Sequence, residues 1–582
     1  AKTDENISII KKVKSREDTY DIDSYDIRVR LSKELPVTKD ELKILEKLNE
    51  SERNFISFRY KQRASLTIYE NAGDIIKVDL TTTKMNDNIN MVYRSIPNYE
   101  LEIDFSSTGS PKTTSLDKIY SEATTLLKIL QQSNFIIGKD MENEVLNRYA
   151  DLLGENKDKM TSLAGRRAQS LEVQHIVDKL PNRYAVTDKA DGDRCFLIIY
   201  NTAVFFISDN LHVKNTGIIL TNNKFNDSII DGELIFLPEK NRHVYMAFDC
   251  LYSQGKDHRV DPNFMDRLKE VDNIIYNCFV LKGQKGFTFK EYNGSFDTDK
   301  IIDFHRKEID IFMSSVNHDI GVEKLYPLIR RKYFINALGG QDNEIFKYSK
   351  LIWDKYVFDK TTNCPYILDG LIYHPLEQPY VVSVKDSKYI EYKWKPPNKN
   401  SIDFYIQFEK NPDTGKMYIL YDNSDDNAVS GKPYKIANLY VGSSGRTGEV
   451  PILFNPEDNR HVAYLFLEDG EVRDQEGNII QDNTVVEFYY NNDVNIPDKH
   501  RWVAMRTRHD KTESVQRYKK KYGNYVDIAK KVWRSISNPI TINDISILAN
   551  DKTFDKHRDV LRGKIEHSVI LSEAKENVYY QI

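Results

Sequence analysis

Up to about residue 112, apolar and charged positions alternate with a period of two. The runs Asp26-Ile27-Arg28-Val29-Arg30-Leu31, Phe58-Arg59-Tyr60-Lys61-Gln62-Arg63, Ile76-Lys77-Val78-Asp79-Leu80 and Tyr99-Glu100-Leu101-Glu102-Ile103-Asp104-Phe105 each place charges at i and i+2. In a strand those positions share one face, so the spacing predicts strands with one charged and one apolar side. Such strands either form an ordinary antiparallel sheet with a solvated charged face, or close with the apolar side outward around a polar tunnel. A tunnel suits a highly charged guest. Arg28, Arg30, Arg59, Lys61, Arg63 and Lys77 would grip a polyphosphate, and Glu100 with Glu102 would offer hard oxygen ligands to a divalent metal.

The period changes at Ser115. Leu116, Ile119, Tyr120, Ala123, Leu126, Leu127 and Leu130 recur at three- and four-residue spacing, which predicts an amphipathic helix. A second helix is expected over Asn143 to Leu153, stopped by Gly154. Strand-like apolar runs then return, several with a charge beside a glycine. Lys189-Ala190-Asp191-Gly192-Asp193-Arg194 precedes Cys195-Phe196-Leu197-Ile198-Ile199-Tyr200, and Ile229-Ile230-Asp231-Gly232-Glu233-Leu234 and Ile367-Leu368-Asp369-Gly370-Leu371-Ile372 follow. Between them, Tyr245-Met246-Ala247-Phe248-Asp249 is an aromatic-bearing strand. Tyr392-Lys393-Trp394-Lys395 sets two lysines on one strand face before Pro396 and Pro397 end it. Residues 253 to 360 mix helical and strand-like runs without defined chemistry.

After Asn400 the texture is again β. Phe404 to Phe408, Met417 to Leu420, Ala463 to Leu467 and Thr484 to Tyr489 read as short strands separated by turns, which suits a small barrel. The tail carries Lys519, Lys520, Lys521, Lys530, Lys531 and Arg534 on an expected helix, read as a solvated face with RNA contact as the alternative.

Composition narrows the class. At 582 residues the chain is long enough for about three or four domains. Its 40% hydrophobic and 29% charged content marks a soluble globular protein. No apolar run reaches membrane-spanning length and no signal peptide opens the chain, so an intracellular, cytoplasmic protein with no membrane partner is expected. A net charge of -5 argues against wholesale coating of nucleic acid but allows local basic grooves. The four cysteines show no paired spacing, so neither a zinc site nor a disulfide framework is indicated. Because the first residue is Ala1, a processed or excised part of a longer protein is expected.

The candidate chemistry centres on Lys189. A lysine at a strand mouth, buried or crowded by cations, yields a neutral amine and hence a nucleophile. Gly192 allows close approach of the backbone to a ligand, and the planar fork of Arg194 suits a hydroxyl or phosphate.

Lys189-Ala190-Asp191-Gly192-Asp193-Arg194 resembles the KxDGxR nucleophile motif of the covalent nucleotidyltransferases, which comprise DNA ligases, RNA ligases and mRNA capping guanylyltransferases. The runs around Glu233, Phe248, Asp369 and Lys393-Trp394-Lys395 follow in that superfamily's order, and Arg506-Thr507-Arg508-His509-Asp510-Lys511 is similar to its final motif in the capping form, RxRxDK. The front strands, with Glu100-Leu101-Glu102, resemble the triphosphate tunnel RNA triphosphatases; the first ExE pair of those enzymes is not found. The chain is therefore identified with the multifunctional capping enzymes of large nucleocytoplasmic DNA viruses, of the poxvirus and mimivirus type.

The resemblance implies an α+β protein: a triphosphate-tunnel β-barrel domain over residues 1–160 that lacks its first strand, a nucleotidyltransferase domain of ATP-grasp-like antiparallel sheets with helices over 161–400, an OB-fold domain over 401–515, and a helical extension or linker over 516–582. It implies transfer of GMP from GTP, through a lysyl-GMP intermediate on Lys189, to the diphosphate end of RNA, together with a polynucleotide 5′-phosphatase activity. Asp369, Lys393, Lys395, Asp510 and Lys511 would join Lys189 in catalysis. Asp191, Gly192, Arg194, Glu233, Phe248, Ile372, Arg506 and Arg508 would bind the nucleotide. Implied cofactors are Mg²⁺ or Mn²⁺ with GTP as substrate. Implied partners are 5′-triphosphate or diphosphate RNA and a methyltransferase domain or subunit, in a virus factory or virion for a viral protein. An ATP-dependent DNA or RNA ligase and a non-catalytic RNA-binding scaffold are the alternatives.

Overall fold

The computed structural model describes residues 10–13, 19–38, 40–41, 43, 57–71, 73–107, 113–181, 183–383, 387–423 and 430–565. The chain divides into two compact units, Ala1–Ser162 with Ala203–Ile219, and Leu163–Thr202 with Leu220–Ile582.

In the first unit, β1 (Phe58–Asn71), β2 (Asp74–Asn86) and β3 (Asn98–Ser107) form an antiparallel meander. The register sets Arg59, Lys61 and Arg63 opposite Met85, Thr83 and Thr81, and sets Glu100 and Glu102 opposite Thr81 and Asp79. The period-two pattern is thus realised, with Leu66, Leu80 and Tyr99 exposed on the other side. The expected tunnel barrel is not what the described residues form. The meander remains three-stranded, and Arg28 and Arg30 lie on a separate ribbon, Ile27–Arg30 paired with Thr19–Ile22. The other described strands at the front, Ile10–Val13 and Lys33–Pro36, are four residues long and pair with each other, which leaves them too short to extend a sheet whose strands run from 10 to 14 residues. Helices α1 (Thr113–Gln131) and α2 (Lys139–Leu153) follow. Gly154, at φ 72°, ends α2 as its position predicts, but α2 starts earlier than expected, where Asp140 and Glu142 favour the positive end of the helix.

The second unit is built on three sheets. The first has five strands in the order β10-β5-β11-β12-β4, where β4 is Gln169–Ser170, β5 Tyr184–Ala190, β10 Ile335–Asn336, β11 Leu368–Pro375 and β12 Tyr392–Trp394. In the second, β6 (Asp193–Tyr200), β7 (Ser228–Leu237) and β8 (Arg242–Ser253) run antiparallel, and β9 (Leu328–Arg331) lies parallel to β8. Helices α3 (Val173–Asp178), α4 (Phe264–Cys278), α5 (Thr298–Val322) and α6 (Glu344–Trp353) belong to the same unit. The apolar faces of α3, α5 and α6 share a core with the first sheet, including Ile176, Phe312, Phe346, Leu371 and Tyr373, while Phe264 and Leu268 of α4 pack in a smaller cluster with Ala185 of β5.

The third sheet is antiparallel, curled and OB-like. Its order is β16-β14-β13-β17-β18, formed by β13 (Ser401–Phe408), β14 (Pro433–Gly445), β16 (Val462–Glu468), β17 (Thr484–Tyr490) and β18 (Trp502–Thr507), with β15 (Gly448–Leu453) paired to β14. A backbone bond from Gln475 N to the Ala504 carbonyl draws the two ends of the curl together. The expected strand at Met417 to Leu420 shrinks to Leu420–Tyr421, and the longest strand of this sheet, β14, was not foreseen because small residues interrupt its alternation. Beyond it come α7 (His509–Tyr518), α8 (Val526–Ser537), α9 (Ile542–Leu548) and α10 (Phe554–Arg562). Lys519, Lys520 and Lys521 lie after α7 ends, in a turn rather than on the expected helix, since Lys519 adopts a left-handed φ of 54°. No described helix is long and apolar enough to cross a membrane.

Candidate active site

Lys189 is the next-to-last residue of β5, and the chain turns through Asp191 and Gly192 directly into β6 of the second sheet. A Cβ on Gly192 would lie 2.8 Å from the Leu234 carbonyl oxygen and 2.9 Å from Glu233 Cγ. Glycine is what lets this turn rest on β7 beside Glu233.

Where β5 pairs with β11 the register shifts between Leu368 and Gly370. Asp369 is the extra residue, and the bulge turns its carboxylate onto the face that carries Lys189. Lys189 Nζ donates to Asp369 Oδ2 at 2.5 Å, and Lys395 Nζ lies 2.8 Å from the same oxygen. One carboxylate therefore holds two lysines. Burial works to raise the Asp369 carboxyl, but Lys189 and Lys395 outweigh it and keep it below the ordinary value. Lys393 stands opposite Ile372 on the same face. Burial, then the ammonium groups of Lys395 and Lys189, push it down to about 8.

The second sheet contributes Glu233, directly opposite Arg194 in the β6–β7 register. Glu233 Oε2 accepts from Lys332 Nζ at 2.7 Å, and Lys332 also donates to the Asp188 carbonyl at 3.0 Å. Burial lifts the Glu233 carboxyl above its usual value even against Lys332. Phe248 sits at a second bulge, where Asp231 faces Asp249 but Gly232 faces Ala247. The Arg194 guanidinium lies 5.7 Å from its ring centroid. Rather than standing open for a ligand, the Arg194 fork grips buried Asp231, whose Oδ2 also accepts from Tyr380 Oη at 2.6 Å. Asp191 is exposed in its turn.

Trp394, between the two site lysines, is buried, and its indole Nε1 donates to the Ile540 carbonyl at 2.8 Å. Ile540, Ile545, Leu548, Phe554 and Leu561 belong to the same apolar core as Trp394 and Leu371. The C-terminal extension is thus an integral support of the lysine strand.

In the OB-like sheet, Arg508 Nη1 and Lys511 Nζ both reach Asp403 Oδ2, at 2.7 and 2.6 Å. Asp510 pairs with Arg508 at 3.2 Å and Arg506 with Glu487 at 2.7 Å. The partners of this last motif lie in its own sheet and the helix that follows, not around Lys189. In the first unit, Arg59 pairs with Glu100, and Arg63 with Glu102 at 3.0 Å and Asp79 at 2.8 Å. Lys61 and Lys77 share that face, whereas Arg28 pairs with Asp21 on the ribbon it shares with Arg30. Glu100 and Glu102, expected to ligate a metal, are both engaged by arginines, and among the described residues no group of three or more His, Cys, Asp or Glu could hold a metal ion.

Sequence reasoning missed Lys332, Asp231, Tyr380 and Asp403. Lys332 had a readable signal, the last of three cations, Arg330-Arg331-Lys332, directly after the apolar pair Leu328-Ile329. Tyr380 and Asp403 had none, because their partners are remote in the chain.

A family model described as "mRNA capping enzyme, catalytic domain" matches residues 133–300, and one described as "mRNA capping enzyme, C-terminal domain" matches residues 399–546. The first stretch holds Lys189, Glu233 and Phe248; the second holds Asp403 and the motif from Arg506 to Lys511. A probable mRNA-capping enzyme of Acanthamoeba polyphaga mimivirus is 36% identical over 96% of this chain and 46% of its own length. The mRNA-capping enzyme of African swine fever virus is 21% identical over 77% of this chain and 46% of its own length. The mRNA-capping enzyme subunit alpha of Candida glabrata is 23% identical over 65% of this chain and 79% of its own length. The chain thus spans about half the length of the viral relatives. With both domain models matched in order and similarity to a capping enzyme along nearly all of its length, the protein belongs to the mRNA capping enzyme family.

Proposed function

We propose that this chain is an mRNA guanylyltransferase that transfers GMP from GTP to the diphosphate end of RNA. The observation that carries the proposal is the Lys189–Asp369–Lys395 cluster, two lysines held on one carboxylate. Lys189 Nζ attacks the α-phosphorus, an N–P bond forms, and the P–O bond to pyrophosphate breaks. Asp369, 2.5 Å from Nζ and held ionised by Lys189 and Lys395, orients the amine, whose proton passes to solvent. Lys393 and Lys395 offset charge building on the phosphate oxygens. Glu233 faces the ribose, and Phe248 and Ile372 bracket the base. Arg506, Arg508, Asp510 and Lys511 meet the pyrophosphate when the OB-like domain closes. A terminal phosphate oxygen of diphosphate RNA then displaces Lys189 from phosphorus. The Asp369 carboxylate, whose Oδ2 carries both lysines, is the group beside Lys189 that would hold Mg²⁺ or Mn²⁺, and the ion would supply further positive charge to the phosphate.

The test is incubation with α-labelled GTP or ATP and Mg²⁺. A covalent GMP adduct is expected, absent in Lys189→Ala. An ATP-only adduct would make the protein a ligase, and no adduct with either nucleotide would leave a binding scaffold. For the first unit we propose a 5′-triphosphatase-type surface, supported by the face that carries Arg59, Lys61 and Arg63. Metal-dependent release of γ-phosphate from triphosphate RNA reads it out.

A further inference from the structure

Although the whole chain carries a net charge of -5, the stretch from Ser514 to Arg534 holds seven basic residues and one acid. The structure sorts these cations. Arg534 and Lys531 turn inward to Glu172 and Gln169, and Arg517 pairs with Glu513. Lys519, Lys520 and Lys521 stay exposed beside Tyr518, which is 68% exposed, and none of the three has an ion-pair partner among the described residues.

The turn that presents them is strained and yet rigidly held. Lys519 and Lys521 have φ values of 54° and 63°, a left-handed conformation that glycine or asparagine adopts more readily. Glu449 fixes the turn by accepting from the backbone N–H groups of Lys521 and Tyr522 at 3.0 and 2.8 Å. Tyr522 is buried edge-on against Tyr405, with ring centroids 5.2 Å apart. Lysines kept where the backbone disfavours them point to a use for their charge.

The turn is also bolted to the last motif. Asn524 N donates to the Asp403 carbonyl at 2.7 Å, and a Cβ on Gly523 would lie 2.2 Å from that oxygen. The carboxylate of the same Asp403 holds Arg508 and Lys511. Helix α7 joins the two cation groups directly, and its ten residues span about 15 Å.

We propose that the Lys519–Lys521 turn, with Tyr518, is a docking ridge for the phosphodiester backbone of single-stranded RNA, leading away from a 5′ end that lies at Arg508 and Lys511. The chemistry fits: ammonium groups neutralise successive phosphates, and an exposed aromatic ring stacks on a base without reading sequence. The place of the 5′ end rests on the proposed guanylyl transfer; the RNA-binding surface does not.

The experiment is fluorescence anisotropy of a labelled, mixed-sequence 5′-diphosphate oligoribonucleotide across 0.05–0.2 M salt. It compares the chain with its Lys519→Asn/Lys520→Asn/Lys521→Asn variant, since asparagine tolerates the left-handed φ. Loss of three phosphate contacts should lower the slope of log affinity against log salt by about 2, so that over this range the unsubstituted chain loses roughly 15-fold more affinity than the variant. GMP-adduct formation and melting temperature should not change. Lys520→Asn alone, outside the left-handed positions, should lower the slope by about 0.7. An unchanged slope in both variants, or weakening with no change in slope, overturns the proposal and leaves the turn to an acidic protein partner or to solvent. A changed slope in a chain that forms no adduct supports the ridge and removes the reaction instead.

Discussion

At position 370 the side chain has no room. A Cβ on Gly370 would lie 1.9 Å from the Trp394 carbonyl oxygen and 3.2 Å from Lys395 Cα. The absence of a side chain allows β12 to approach the bulge closely enough for Lys395 and Lys189 to share Asp369. Gly370→Ala must push the strands apart, costing roughly 1–3 kcal/mol of stability by overpacking. It should slow adduct formation roughly 100-fold by displacing the lysines. Adduct kinetics with a paired melting curve check it, and a normal rate would refute the steric argument. The glycine was visible in the sequence as part of a motif; its reason was not, because the crowding atoms come from another strand.

Among the elements, β12 shows how support reaches the site from outside it. Lys393 and, just past the strand's end, Lys395 lie on the side of Asp369, while Trp394 points into the core and donates to the Ile540 carbonyl on the segment before α9. Strand β4 holds its other edge, with Leu171 N on the Lys393 carbonyl, and Arg534 of α8 grips Glu172 next to it. Trp394→Phe keeps a ring but leaves the Ile540 carbonyl buried and unpaired, a cost of about 1–3 kcal/mol. A looser β12 gives Lys393 more solvent, so its pKa should rise from about 8. The rate of adduct formation, which needs a charged Lys393, should then fall at higher pH than in the unsubstituted chain. A pH–rate profile with an unmoved alkaline limb would refute this link. Strand and helix types followed from periodicity, whereas the two bulges did not. A single inserted residue reverses which side chains face the site, and nothing in local alternation marks it.

On the scale of the whole molecule, three desolvated histidines, His175 and His374 buried and His305 half-buried, make stability depend on acid. His175, His305 and His374 are each pushed down from 6.5 to about 4, chiefly by burial. Between those values the unfolded chain binds protons that the folded chain does not. Stability should therefore be full above about pH 6.5 and be lost as pH falls toward 4. His374 is the most telling case, packed with Arg166 at 3.0 Å and bonded to Glu391 at 2.7 Å. Melting temperatures from pH 7.5 to 4.5 should fall steadily, and His374→Asn should flatten part of that slope. A flat profile would show these imidazoles to be solvated.

The sequence by itself determined the type of most elements, the one-sided charge of the front strands and the ordered set of chemical residues beginning at Lys189. Each of these is written in local spacing or in short motifs, so no distant partner is needed to read it. Only the tertiary structure decided which of those residues meet. It put Asp369 between two lysines, occupied Arg194 with Asp231 and tied the last motif to Asp403. It also left the front strands as an open three-stranded sheet among the described residues. Those outcomes depend on bulges, on strands far apart in the chain and on charges that must find the nearest counter-charge once buried, which no local pattern encodes.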